Sequence, residues 1–167
     1  MDLKQHFFTL TQYHSWAFNR LYEYLESVSE ENYRRESGLF FKSIHGTLNH
    51  SLLADKIWYG RCVNQPFSVS GLDEELCSDR QQLENEIKNQ TAKWSEFLLE
   101  IDADKLGNLI KYRTTQGSEK SLQLANILSH TVNHGTHHRG QVSAALTQFG
   151  YPAPEIDLPY FIAAQNQ

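Results

Sequence analysis

One run near the C-terminal end constrains this chain more than any other feature. His130-Thr-Val-Asn-His134-Gly-Thr-His137-His138-Arg-Gly-Gln141 gathers four of the eight histidines into nine residues. From about Leu122 to Phe149, the residues Leu124, Ile127, Leu128, Thr131, Val142, Ala145, Leu146 and Phe149 recur at three- and four-residue intervals, the period of a single helix. No proline interrupts the pattern, and Gly150 followed by Pro152 supplies a stop. At roughly 100° per residue, His130, His134 and His138 drift by about 40° per step. They form a ladder along one edge of the apolar stripe, with His138 nearest its centre and His137 turned toward the polar side.

Two imidazoles four residues apart on a helix have Cβ atoms close enough to share one cation. A single histidine on an apolar face is ordinarily a hydrogen-bonded core residue. Three in a ladder on a buried edge ask for more, because histidine is seldom buried without a partner. The His-x-x-x-His spacing is therefore read as a bidentate metal clamp.

Three further helices are predicted. Leu3, Phe7, Leu10, His14, Ala17, Phe18, Leu21, Leu25 and Val28 carry the helical period through the first 28 residues. His14 stands within that apolar series, either as a core histidine tied to a neighbouring carbonyl or facing a cavity. Ser29-Glu-Glu resembles a helix start, and Gly38 breaks the chain before the next run. The second long helix covers Phe40 to about Val63 with Ser43 as a candidate cap, and Ile44, Leu48, Leu52, Trp58 and Cys62 share one face. Leu53, Ala54 and Ile57 lie outside that stripe, so this helix is expected to be surrounded by others. His50 falls on an apolar flank beside Ala54 and Ile57, whereas His45 falls nearer Asn49, Lys56 and Tyr59. Asp55 sits near the centre of the stripe, where an unpaired carboxylate is costly. A salt-bridge or hydrogen-bond partner is expected for it rather than a catalytic role.

After a loop around Pro66 and Gly71, Ser78 or Asp79 caps a third helix running to about Ile101. The stretch from Leu109 through Gly117 to Leu122 reads as a short β-hairpin joining helices three and four. Pro152, Pro154 and Pro159 then fix an extended path, followed by a short apolar segment expected to dock on the bundle. Asp157 is read as a cap for that segment, with a place near the metal as the other reading.

Composition closes off several functions. At 167 residues the chain is expected to form one domain, spanning residues 1–167. A net charge of −5 and no Lys/Arg cluster in the sequence argue against nucleic-acid binding. No run approaches the roughly 18–20 apolar residues of a membrane span, and the charged, polar start lacks a secretory pattern. A cytoplasmic, membrane-free protein is the expectation. Cys62 and Cys77 are too few and too oddly spaced for a disulfide framework. They are read as free thiols, a thiol near the metal being the other reading.

Four helices make a bundle the natural packing solution, and bundle cores are where metal sites arise from facing helices. His134 and His138 supply two ligands, and His50 is the choice for a third. Three imidazoles leave a position for water or substrate, the mark of a catalytic site. Zinc, nickel, iron, copper and cobalt all suit such nitrogen ligands, with zinc or nickel expected. No His-Glu-x-x-His is present, and Asp55 and Asp157 are the nearest acids by sequence. This weighs against hydrolysis, which needs a base beside the metal.

Ser43-Ile-His-Gly-Thr-Leu-Asn-His50 with Ala54-Asp-Lys-Ile-Trp58, and His130 through Gln141, resemble the DinB-like (DinB/YfiT) metalloenzymes; Tyr13-His-Ser-Trp16-Ala and Asp157-Leu-Pro extend the similarity over essentially the whole chain. The resemblance implies an all-α, up-down-down-up four-helix bundle, often dimeric. It also implies a divalent metal on one histidine of helix two and two of helix four, which by position are His50, His134 and His138. His130 and His137 match positions often occupied by histidine but less securely as ligands. Related branches are thiol-dependent transferases and isomerases. The leading expectation is thus a metal-dependent thiol transferase acting on a small molecule, with a low-molecular-weight thiol as co-substrate. A metal-dependent hydrolase and a non-catalytic, stress-related protein stapled by its metal are the alternatives. A homodimer is expected.

Overall fold

The computed structural model of the chain describes residues 2–114 and 116–166. In chain order these form α1 (Leu3–Leu25), α2 (Glu30–Arg34), α3 (Ile44–Cys62), α4 (Arg80–Glu100), a 3-10 turn (Ala103–Gly107), β1 (Leu109–Arg113), β2 (Glu119–Gln123), α5 (Leu124–Gln148) and α6 (Leu158–Gln165). The protein is therefore mostly helical with a small antiparallel sheet. Leu109 pairs with Gln123 and Arg113 with Glu119, so the predicted hairpin is present.

Short polar side chains start the helices. Asp2, Ser29, Ser43 and Asp79 each accept a hydrogen bond from the backbone N–H three residues on, at 2.7, 3.2, 3.0 and 2.7 Å. Each such cap is worth about 0.5–2 kcal/mol. Local geometry also moves the predicted boundaries. The second long helix begins at Ile44 rather than Phe40, because Lys42 takes a left-handed φ of 69° in a tight turn closed by its own N–H to the Leu39 carbonyl. The last long helix begins at Leu124 rather than Leu122, because β2 runs directly into it. The Leu124 N–H donates to the Asn108 carbonyl, which ties this junction to the start of the hairpin. The docked apolar segment after Pro159 is α6, whose Phe161 is buried against Tyr13 and Trp16. Asp157 holds the N-cap position, yet its side chain makes no capping bond.

The four long helices pack as a ring in which α1 lies against α4 and α5, and α3 lies against the same two. α3 is buried nearly all round, as its apolar circumference predicts: Leu48, Leu52 and Leu53 are all essentially inaccessible. Burying each such side chain stabilises the fold by about 1.5–3 kcal/mol. One apolar cluster joins Phe18, Leu21 and Leu25 to Leu48, Leu52, Leu83, Ile87 and Leu146. A second surrounds Trp94 with Phe7, Leu98, Leu106, Leu124 and Leu128. Between α3 and α5 the contact turns polar.

Candidate metal centre

Histidines from α3 and α5 meet where the two helices pack. The Nε2 of His134 lies 3.3 Å from Nε2 of His50 and 3.1 Å from Nε2 of His138. All three ligand atoms fall within 4.8 Å of one another. Tetrahedral coordination at Zn–N distances of about 2.0–2.1 Å requires nitrogens about 3.3–3.4 Å apart. The rings stand close to that spacing.

Hydrogen bonds on the far sides of two rings fix their tautomers. The Nδ1–H of His50 donates to the Leu72 carbonyl at 2.7 Å, and that of His138 donates to Oε1 of Gln141 at 2.8 Å. Their Nε2 lone pairs therefore point into the cluster. This is the arrangement in which an outer acceptor orients a ligating imidazole and raises its basicity. The sequence reading missed both acceptors. Gln141 lies one helical turn after His138 and was visible in the spacing, whereas the Leu72 carbonyl belongs to a loop and left no mark.

Electrostatics keep the rings uncharged. Burial, followed by the mutual influence of His138, His50, His130 and His137, pulls His134 down to about 3. Burial likewise lowers His138 to about 4 against the opposing pull of Gln141, and it lowers His50 against that of Leu72. Neutral imidazole is the form that binds metal. Phe41 stacks on His50, with centroids 3.7 Å apart and planes inclined by 15°, and presents an edge toward His138 at 5.8 Å. Gly46 makes this possible: a Cβ there would stand 2.1 Å from the Phe41 carbonyl oxygen.

The other histidines sort differently. His130 and His137 are exposed and contribute no atom to the cluster, although His130 packs 5.0 Å from Trp58 and 5.4 Å from His134. His45, placed by angle on a more polar flank, is buried at 3% exposure. It packs on Tyr33 of α2, with Nε2 3.3 Å from Glu75. His14 is a core histidine, as one of its two readings held, but its partner is a carboxylate and not a carbonyl. Its Nε2–H donates to Oδ2 of Asp55 at 2.9 Å.

Asp55 also accepts from Nε1 of Trp94, which gives the stripe carboxylate the partners its burial demands. On the other side of His14, Arg139 approaches Nδ1 at 3.4 Å and donates to Tyr13 Oη and Thr136 Oγ1 at 3.3 and 3.0 Å. Arg139 is 1% exposed and went unnoticed in the sequence, because its neighbours come from the opposite end of the chain. Gly135 leaves the space this network needs, since a Cβ there would lie 2.4 Å from Cε1 of His14.

Among the described residues no carboxylate or thiol joins the three histidines. Cys62 and Cys77 are free, and burial pushes the Cys62 thiol up to about 12. The donor set is three neutral nitrogens, which fits a borderline divalent ion such as zinc or nickel. No helix among the described residues is long and apolar enough to cross a membrane.

Comparison with known proteins agrees with this architecture. The sequence profile of the DinB family matches residues 1–167. Protein DinB of Bacillus subtilis (strain 168) is 25% identical over 164 residues, covering 93% of this chain and 92% of that protein. A crystal structure of a conserved protein from Enterococcus faecalis superposes with a TM-score of 0.66 at 13% identity, over 87% of this chain and 95% of that one. At that identity the likeness concerns the fold alone. The chain belongs to the DinB family.

Proposed function

We propose that this member of the DinB family holds one divalent transition metal ion, zinc or nickel, on His50, His134 and His138, and that it transfers a low-molecular-weight thiol to an electrophilic small molecule. The observation that carries this reading is a cluster of three mutually facing, neutral imidazoles with no carboxylate among them. The ion, when bound, supplies a Lewis acid that favours deprotonation of a coordinated thiol.

The chain's own part is positioning. Leu72 and Gln141 lock the rings of His50 and His138, and Phe41 shields His50 from water. His134 is only partly buried and leaves the centre a way out to solvent. Hydrolysis would need a base beside the centre, and Asp55, the buried acid of α3, is already bound to His14 and Trp94.

The same reading takes the ring of long helices as an up-down-down-up four-helix bundle. It also takes the protein as a cytoplasmic homodimer, to which the exposed Leu158, Tyr160 and Ile162 of α6 would contribute apolar surface. Conjugation assays with chlorinated and epoxide electrophiles and a panel of small thiols test the activity. Turnover that needs added zinc or nickel and disappears in His134→Ala is expected; no metal-dependent turnover across the panel overturns it.

A further inference from the structure

We propose that the cleft between the α3–α4 connection and the hairpin binds the anionic end of a small organic molecule through Arg61 and Lys120; that this molecule is the substrate of the histidine centre rests on the reading given above. The cleft encloses about 850 Å³, which falls in the range of small-molecule sites. Its apolar walls come from Ile57, Pro66, Phe67 and Val69.

The charges along it are unevenly matched. Alternation along the hairpin puts Tyr112 and its cross-strand partner Lys120 on the face toward α3, and Lys111 and Arg113 on the other. Lys111, Arg113 and Glu119 also line the cleft at its rim, where Glu119, the one acid among its lining residues, already pairs with Arg113 at 3.1 Å. On the inner face Arg61 lies 4.3 Å from the ring centroids of both Trp58 and Tyr112, and one of its N–H groups donates to the Arg113 carbonyl. Among the described residues neither Arg61 nor Lys120 has a carboxylate within 4.0 Å. A half-buried guanidinium held against two rings without a counter-ion has given up hydration that an anion would restore.

Overall the chain carries a net charge of −5, so these cations stand out locally against an acidic protein. A small anion can use them where a long polyanion would be repelled by the rest of the surface.

The cleft, which no histidine lines, is joined to the cluster through neighbouring residues. Gly71 lines it, and the next residue, Leu72, accepts the hydrogen bond from His50. From its other side Arg61 leads through Trp58 to His130 and on to His134. A molecule anchored by its anionic end would thus lie on the side of the protein from which both chains of contacts lead to the cluster.

Indole N–H resonances provide the test, because the chain has only three tryptophans. The ¹⁵N-labelled full chain, metal-stripped and zinc-loaded in parallel, is titrated with succinate, with inorganic phosphate and with uncharged succinamide. The Trp58 signal, identified by its loss in Trp58→Phe, is expected to shift saturably with succinate or phosphate in both samples and to ignore succinamide. The signal of Trp94, whose N–H donates to Asp55, should stay still. Arg61→Gln and Lys120→Gln should each weaken binding by about tenfold or more, and Arg35→Gln, which removes a cation stacked on Phe149, should leave it unchanged. No saturable shift, an equal response to succinamide, or a shift only in the zinc-loaded sample overturns the proposal. Zinc content measured on the same samples separates the two readings: succinate binding by a chain that takes up no zinc when zinc is supplied would remove the substrate role and leave the anion site standing.

Discussion

Two sets of histidine contacts lie side by side where α1, α3 and α5 meet, and they solve the problem of a buried imidazole in opposite ways. His14 is closed off on both nitrogens, by the Asp55 carboxylate on one side and the Arg139 guanidinium on the other. His50, His134 and His138 face one another with nitrogens 3.1 and 3.3 Å apart, and the partners of His50 and His138 stand outside the cluster. The two sets border a single small cavity lined by both His14 and His134. A histidine with a satisfied charge partner supports the fold, whereas inward lone pairs held by outward hydrogen bonds make a site. Burial alone does not separate them, since His14 is 1% exposed and His138 5%.

The sharpest way to break this comparison is to remove the charge from the satisfied set. Asp55→Ala leaves the His14 Nε2–H and the Trp94 Nε1–H without their common acceptor, and each buried donor left unsatisfied costs about 1–3 kcal/mol. Urea denaturation should show a loss of that size in metal-free protein, while whatever fraction remains folded still takes up zinc. A loss under about 1 kcal/mol, below the range for even one unsatisfied buried donor, would mean that the network does not carry the fold.

Next comes the outer support of the open set. Gln141→Ala frees the Nδ1–H of His138, and losing such an acceptor typically weakens metal affinity by about 10–100-fold. Competition with a zinc chelator measures this, and thermal stability without metal should barely move. Equal affinity in both proteins would show that Gln141 does not orient the ring.

The smallest expected effect comes from pH. His134 and His138 fall to about 3 and about 4 in the folded chain, against about 6.5 when unfolded. Below about pH 6.5 the unfolded chain therefore binds more protons, and stability falls as the pH falls. Above that value the contribution is complete and the curve is flat. Taking metal-free protein from about pH 8 to about pH 6 should lose on the order of 1 kcal/mol through these two rings, and replacing both by alanine should remove that part of the slope. A profile unchanged by the substitution would assign the titration to other groups.

How much of this was legible depends on how local each interaction is. The pair His134/His138 follows from helical spacing, and His50 from its apolar flank. Ser43 and Asp79 announce their helices by residue type, and the hairpin by its alternation about Gly117. Arg139 and His14 could not be paired from spacing, because they lie at opposite ends of the chain and meet only when α1 and α5 pack. Phe41 reaches His50 through a turn whose left-handed Lys42 no pattern foretold. The cations of the cleft are dispersed along the sequence, which therefore shows no basic run. Folding the hairpin against α3 brings Arg61 and Lys120 to the same side.

The central claim is that three imidazoles from two helices hold one ion. Metal content per chain after equilibrium dialysis against zinc tests it most directly, comparing the unaltered protein with His50→Ala, His134→Ala and His138→Ala. The account predicts one zinc per chain and a large loss in each variant, His50→Ala included. A protein that takes up no zinc, or a His50→Ala variant that keeps its full share, would contradict it.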